Sequence, residues 1–167
     1  PRPAGLPGRR AGGRARAYPA ATACRVPLPD DFPRDFTDTE HDVWDKLCRG
    51  QPARLNERDA DLLACNPTDI RRSVPSHRRL GADFLSLILT REPWSSVLAR
   101  PQLVVVCAQV EGTINLENET VKPELTLLRS EIEQGLQLTG ASFERSLIVN
   151  SSDVGRLINA ERVRIGG

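Results

Sequence analysis

The chain has 167 residues, room for one domain and a tail; 27% are charged and 39% hydrophobic. A net charge of +1 excludes tight binding to nucleic acid or a membrane surface by bulk charge alone. The longest unbroken apolar run, Leu103 to Ala108, falls far short of the roughly 20 residues that a helical membrane span needs.

Residues 1–29 hold six arginines (Arg2, Arg9, Arg10, Arg14, Arg16, Arg25), no acid and six of the thirteen prolines. With few aliphatic side chains to bury, this composition predicts a disordered basic tail. An apolar h-region is missing, so neither Arg9–Arg10 nor Ala21-Thr22-Ala23-Cys24 reads as an export signal. The plain reading is a solvated leader, and the functional alternative is a weak polyanion-binding arm. The chain has no methionine, which leads us to expect a piece of a longer protein.

Residues 30–98 carry ten basic and thirteen acidic side chains and read as a helical cap. Thr37 to Glu40 fits a capping box, and Val43, Trp44 and Leu47 follow on one helical face before a stop at Arg49–Gly50. A second short helix is predicted over Asn56 to Ala64, with Leu55, Leu62 and Leu63 as its apolar residues. The third and best runs from Ser76 to Thr90. Leu80, Phe84, Leu87 and Ile88 form its stripe, widened by Leu85 and Leu89. Pro93 ends it, and Trp94 stands at the corner beyond.

Residues 99–167 repeat every eleven residues. Val110, Val121, Ile132, Phe143, Val154 and Ile165 occupy one slot. Four residues after each come Ile114, Leu125, Leu136, Leu147 and Ile158; two further on come Leu116, Leu127, Leu138, Val149 and Ala160. The same phase extends backwards to Ala99, Leu103 and Val105. Between the second and third slots the residue is polar at Asn115, Thr126, Gln137 and Asn159, but apolar at Val104 and Ile148. In an α-helix offsets 0 and 4 share a face while offset 6 lands roughly 240° around, so a coiled coil is excluded. The last two slots alternate as a strand does. Gly112, Pro123, Gly135, Gly140 and Gly155 also break any long helix. The expectation is a mainly β fold: a parallel β-solenoid of 11-residue half-coils, about 22 residues per turn, over 99–167, with an N-terminal α-helical cap. Ile165 opens a further repeat, so the C-terminal end is expected to be open and to mediate self-association or to bind a protein partner.

Gly140-Ala141-Ser142-Phe143-Glu144-Arg145-Ser146-Leu147 is similar to the rhythm of pentapeptide-repeat proteins. The stretch from Glu131 to Phe143 resembles bacterial pentapeptide-like β-helix proteins with a helical N-terminal region. The likeness covers residues 76–167, with spacings of 4, 2 and 5 in place of a uniform 5. It implies a right-handed parallel β-helix. Some proteins of this look carry the label membrane-associated oxidoreductase, but the sequence has no GxGxxG and no CxxCH.

Candidate chemistry is sparse. His41 lies beside Glu40 and Asp42 on a solvated helix face, and His77 precedes Arg78 and Arg79, whose charge disfavours metal binding. A metal site from His41, Cys48 and a distant cysteine is the weaker alternative. The cysteines at 24, 48, 65 and 107 form no CxxC and fit neither a zinc ribbon nor a disulfide miniprotein. Cys107 reads as a small buried apolar residue, and Cys24, Cys48 and Cys65 as thiols of a reducing, cytoplasmic compartment. No GxSxG is present, and no catalytic, cofactor or metal residue is predicted. Glu111, Glu117, Glu119, Glu124, Glu131 and Glu133 form an acidic group against Lys122 and Arg129. This is a solvated face, a binding face for a basic partner or, as the weakest reading, paired carboxylates for hydrolysis. Arg145, Arg156, Arg162 and Arg164 then reverse the charge, which argues against mimicry of DNA. The sequence thus predicts a non-enzymatic scaffold or protein-interaction module. The alternative is part of an enzyme, such as the oxidoreductase of that label, with its activity outside these residues.

Overall fold

A computed structural model describes residues 24, 26–27, 30, 34–56, 65, 74–98 and 101–166. Most of the predicted tail, Leu62 and Leu63 of the predicted second helix, and Ala99 lie outside the described residues. Among the described residues the chain is mainly β, with two helices and fourteen short strands in four parallel sheets.

Helix α1 (Asp38–Cys48) starts at the predicted capping box. The Glu40 N–H donates to the Thr37 hydroxyl (3.2 Å) and the Thr37 N–H to the Glu40 carboxylate (2.9 Å). Val43, Trp44 and Leu47 are buried, Arg49 is the C-cap, and Gly50 follows with φ +71°. The predicted third helix is corrected at its start. Ser76–Arg78 is a 3-10 turn, Arg79–Gly81 is strand β2, and only Ala82–Thr90 is helix α2. Leu80 fits the helical stripe by spacing, but as a strand residue it pairs with Val110 and is 1% exposed. Tertiary pairing outweighs local periodicity there. Helix α2 ends at Thr90, ahead of Pro93, and Trp94 is buried in the turn beyond.

The remaining strands fall into four sheets that the chain visits in rotation. Sheet A holds β1 (Ala53–Arg54), β3 (Gln102–Val106), β7 (Glu124–Leu128) and β11 (Leu147–Asn150). Sheet B holds β2, β4 (Gln109–Glu111), β8 (Glu131–Ile132) and β12 (Asp153–Val154). Sheet C holds β5 (Thr113–Asn115), β9 (Gly135–Gln137) and β13 (Ile158–Asn159). Sheet D holds β6 (Thr120–Val121), β10 (Ser142–Phe143) and β14 (Arg164–Ile165). From β3 onward every pairing is parallel with partners 22 residues apart, for example Leu103↔Leu125↔Leu147 and Val110↔Ile132↔Val154.

The first repeat slot therefore alternates between sheets B and D, and the other two between A and C. Their side chains join one core: Val110, Val121, Ile132, Ile114, Leu125, Leu136, Leu116, Leu127, Leu138 and Phe143 are all buried. The eleven-residue step also governs the backbone. Cys107, Asn118, Arg129, Gly140, Ser151 and Arg162 follow each other at that interval, and all have left-handed φ, between 48° and 71°. They turn the chain from sheet A to B and from C to D. Gly135 is the glycine whose reason is plainest, because its φ is +111° and a Cβ there would strike the backbone carbonyl of Leu157.

The N-terminal end of the stack is covered on all four sides. Strands β1 and β2 pair with β3 and β4, while α2 packs on β5 and β6, where no earlier strand exists among the described residues. Two disulfides fasten this end, Cys24–Cys48 and Cys65–Cys107. The expectation of reduced cysteines is thus corrected. Their separations of 24 and 42 residues carry no local motif, and the topology alone brings them together. Cys24, expected within the tail, is buried, and its carbonyl accepts from Trp44 Nε1 (2.7 Å).

Candidate functional site

The six predicted acidic residues do not share one face. Glu111, Glu131 and Glu133 gather on the outer side of sheet B, where the inward residues are Val110 and Ile132. Glu124 opens β7 in sheet A, and Glu117 and Glu119 lie in the corner before β6. Several already have protein partners. Glu111 pairs with Arg79 (3.4 Å), Glu124 accepts from Gln102 (2.6 Å), and Glu133 accepts from Gln109 (2.9 Å).

Asp153 joins this group on sheet B, in register with Glu131. The signal for it is the 22-residue step from Glu131. Parallel in-register neighbours lie about 4.8 Å apart, so these like charges repel unless balanced. On the opposite sheet, half a turn on, the equivalent outer slot holds Thr120, Ser142 and Arg164.

The most buried charge is elsewhere. The Glu40 side chain is 0% exposed and its carboxylate accepts from both Arg34 guanidinium nitrogens (2.6 Å each), Thr37 N–H and Gly81 N–H (2.8 Å). Arg34 also donates to Asp83 (2.8 Å). Burial alone would raise the Glu40 carboxyl, but the Arg34 hydrogen bonds and the two N–H groups outweigh it and hold it below its ordinary value. Glu40 in turn raises Arg34. The cluster borders a cavity of about 570 Å³, lined also by Asp38, Thr39, Ser76, Arg79 and Glu111. Every Glu40 oxygen is engaged, so the cluster is a clamp joining α1 to the start of α2. The capping box identified Glu40; Arg34 and Asp83, 49 residues apart, had no sequence signal.

The outer side of sheet A is unlike the others. Val104, Val106, Leu128 and Ile148 point away from the inner ladder of Leu103, Val105, Leu125 and Leu127, and Thr126 is buried among them. The apolar exceptions Val104 and Ile148 thus mark this one face.

The last pass, β11 to β14, is the least covered part of the described chain. Each of its strands ends its sheet. Ile158 is 55% exposed and Ile165 69%, whereas Leu136 and Phe143, one turn earlier in the same slots, are 3% and 2% exposed. Leu147, Val149 and Val154 are half-buried.

His41 is exposed on α1 with its ring 5.5 Å from that of Phe36, and His77 lies in the 3-10 turn. Cys48 is bonded to Cys24, which removes the sulfur that the alternative metal site required. Among the described residues no group of three or more His, Cys, Asp or Glu is placed to hold a metal, and no helix is long and apolar enough to cross a membrane. No protein-family model, curated protein or solved structure matches the chain.

Proposed function

We propose that the chain is a β-solenoid interaction module that works through its surfaces and not by catalysis. One observation carries the reading: the outer side of sheet A is apolar at Val104, Val106, Leu128 and Ile148, with Ile148 39% exposed, while the inner ladder is already filled. An apolar face on the outside of a filled core is a surface for a partner. The 22-residue register, the rotation through four sheets and the eleven-residue corners support the solenoid. The pentapeptide-like stretch 131–143 spans β8 to β10 of this register, which keeps that likeness as part of the proposal.

The alternative, part of an oxidoreductase, would need a cofactor cradle, and the cavity beside Glu40 is bordered by a clamp whose carboxylate is fully used. Two disulfides favour an oxidising compartment over the cytoplasm, because thiols stay reduced in most cytosols.

Native mass spectrometry of the protein taken from its source cells tests the function. The module reading predicts mass added as further polypeptide, either copies of the chain or another protein. Stoichiometric flavin or nicotinamide on a single polypeptide would overturn it in favour of the enzyme.

A further inference from the structure

We infer that Asn118 is a site of N-linked glycosylation. This goes beyond the interaction reading and rests on the oxidising compartment that the two disulfides favour. An asparagine two places ahead of a serine or threonine, with no proline between, is the acceptor pattern for such a sugar. Two stretches meet it, Asn118-Glu119-Thr120 and Asn150-Ser151-Ser152. Spacing does not choose between them, but their surroundings do.

Residues 117–120 are exposed throughout. Asn118 stands at the corner between β5 and β6, with left-handed φ of 58°. One layer on, its side chain lies over Gly140, whose missing side chain leaves room beside a branch. Thr120 faces solvent on the outer side of sheet D, next to inward Val121. Among the described residues no hydrogen bond holds the Asn118 side-chain amide or the Thr120 hydroxyl. Both recognition groups are therefore open in the folded chain. Asn150 is the opposite case. It ends β11 in register with Leu128, and its amide oxygen accepts from the Ser151 hydroxyl (3.1 Å). The Ser152 hydroxyl donates to the carbonyls of Leu127 (3.3 Å) and Asn150 (3.0 Å) and accepts from the Ser130 N–H (3.0 Å). Folding ties up this second pattern and leaves the first one free.

The transfer needs a lipid-linked oligosaccharide diphosphate as donor and the source cell's oligosaccharyltransferase as catalyst. The Asn118 Nδ2 attacks the anomeric carbon of the donor. A C–N bond forms, the C–O bond to the diphosphate breaks, the lipid diphosphate leaves and the nitrogen gives up one proton. The product is a bulky, solubilising branch at the corner between sheets C and D.

Peptide mapping of the protein from its source cells is the test. The cysteines are alkylated before any reduction, and a peptide N-glycosidase in heavy-oxygen water then marks each former glycan site. The expected result is a mark at position 118 and none at 150. Made in the same cells, Thr120→Ala should lose the mark and Thr120→Ser should keep it; Thr120 is exposed, so neither change disturbs the core. A mark at 150 alone, or one at 118 that survives Thr120→Ala, overturns the inference. An unmarked 118 beside cysteines that resist alkylation sinks the glycan and keeps the compartment. An unmarked 118 beside cysteines that alkylate freely sinks both.

Discussion

The second and third passes hold the same residue classes in the same slots, yet their environments diverge. Leu136 and Phe143 are sealed, while Ile158 and Ile165 are more than half exposed. Local sequence is therefore not what buries a ladder residue; the layers on both sides of it do. On the proposed solenoid reading each layer touches only its neighbours, so stability accumulates by layer and an outer layer frays first. The contrast also separates the N-terminal side, with its helices and disulfides, from the less buried last pass of the described residues.

The sharpest way to break this comparison is to place one charge in the same slot of both passes. Leu136→Asp should cost at least about 4 kcal/mol, because a carboxylate enters the core without a partner. Ile158→Asp, its register neighbour, should cost less than about 1 kcal/mol. Urea denaturation followed by circular dichroism reads both. Should Leu136→Asp fail to fold, Leu136→Ala serves instead, with an expected loss of about 2–4 kcal/mol. Equal costs at 136 and 158 would refute the register.

At the clamped end, Glu40→Ala should cost about 2–4 kcal/mol. It leaves the Thr37 and Gly81 N–H groups without their acceptor and Arg34 with Asp83 alone of its two carboxylates. Because the folded carboxyl is held below its unfolded value, ionised Glu40 contributes its full stability above the ordinary carboxylate range. That contribution is lost as pH falls through the depressed folded value. Melting temperature against pH should therefore fall less steeply on acidification in Glu40→Ala than in the parent. Parallel curves would show that the clamp does not matter.

What was legible in the sequence was periodic or local. The eleven-residue slots located the inner ladder, and Thr37 and Glu40 located the start of α1. Strand β2 was hidden because Leu80 satisfies both a helical stripe with Phe84 and a strand pairing with Val110; only the presence of β4 decides. The disulfides and the Arg34–Asp83 contact join residues 24, 42 and 49 positions apart, a distance over which spacing says nothing. The acidic group was legible as composition but not as a face. Successive short strands turn corners, and so residues near in sequence leave on different sheets.

The corners give the smallest expected effect and the finest test. Arg129 and Arg162 hold left-handed φ of 48° and 55°, which costs an L-residue roughly 1–2 kcal/mol that glycine avoids. Glycine loses about 0.5–1 kcal/mol of that advantage to the entropy of the unfolded chain. Arg129→Gly should thus stabilise by about 0.5 kcal/mol, seen as a higher urea midpoint at unchanged slope. Gln137→Gly, in strand β9, should destabilise by about as much. Gly140→Ala, at φ 71° and against Asn118, should cost more than Gln137→Gly. The sign is the informative part. If glycine destabilises alike at 129 and 137, the left-handed corner is not what sets the eleven-residue period. Opposite signs would tie that period to the backbone as well as to the aliphatic ladder.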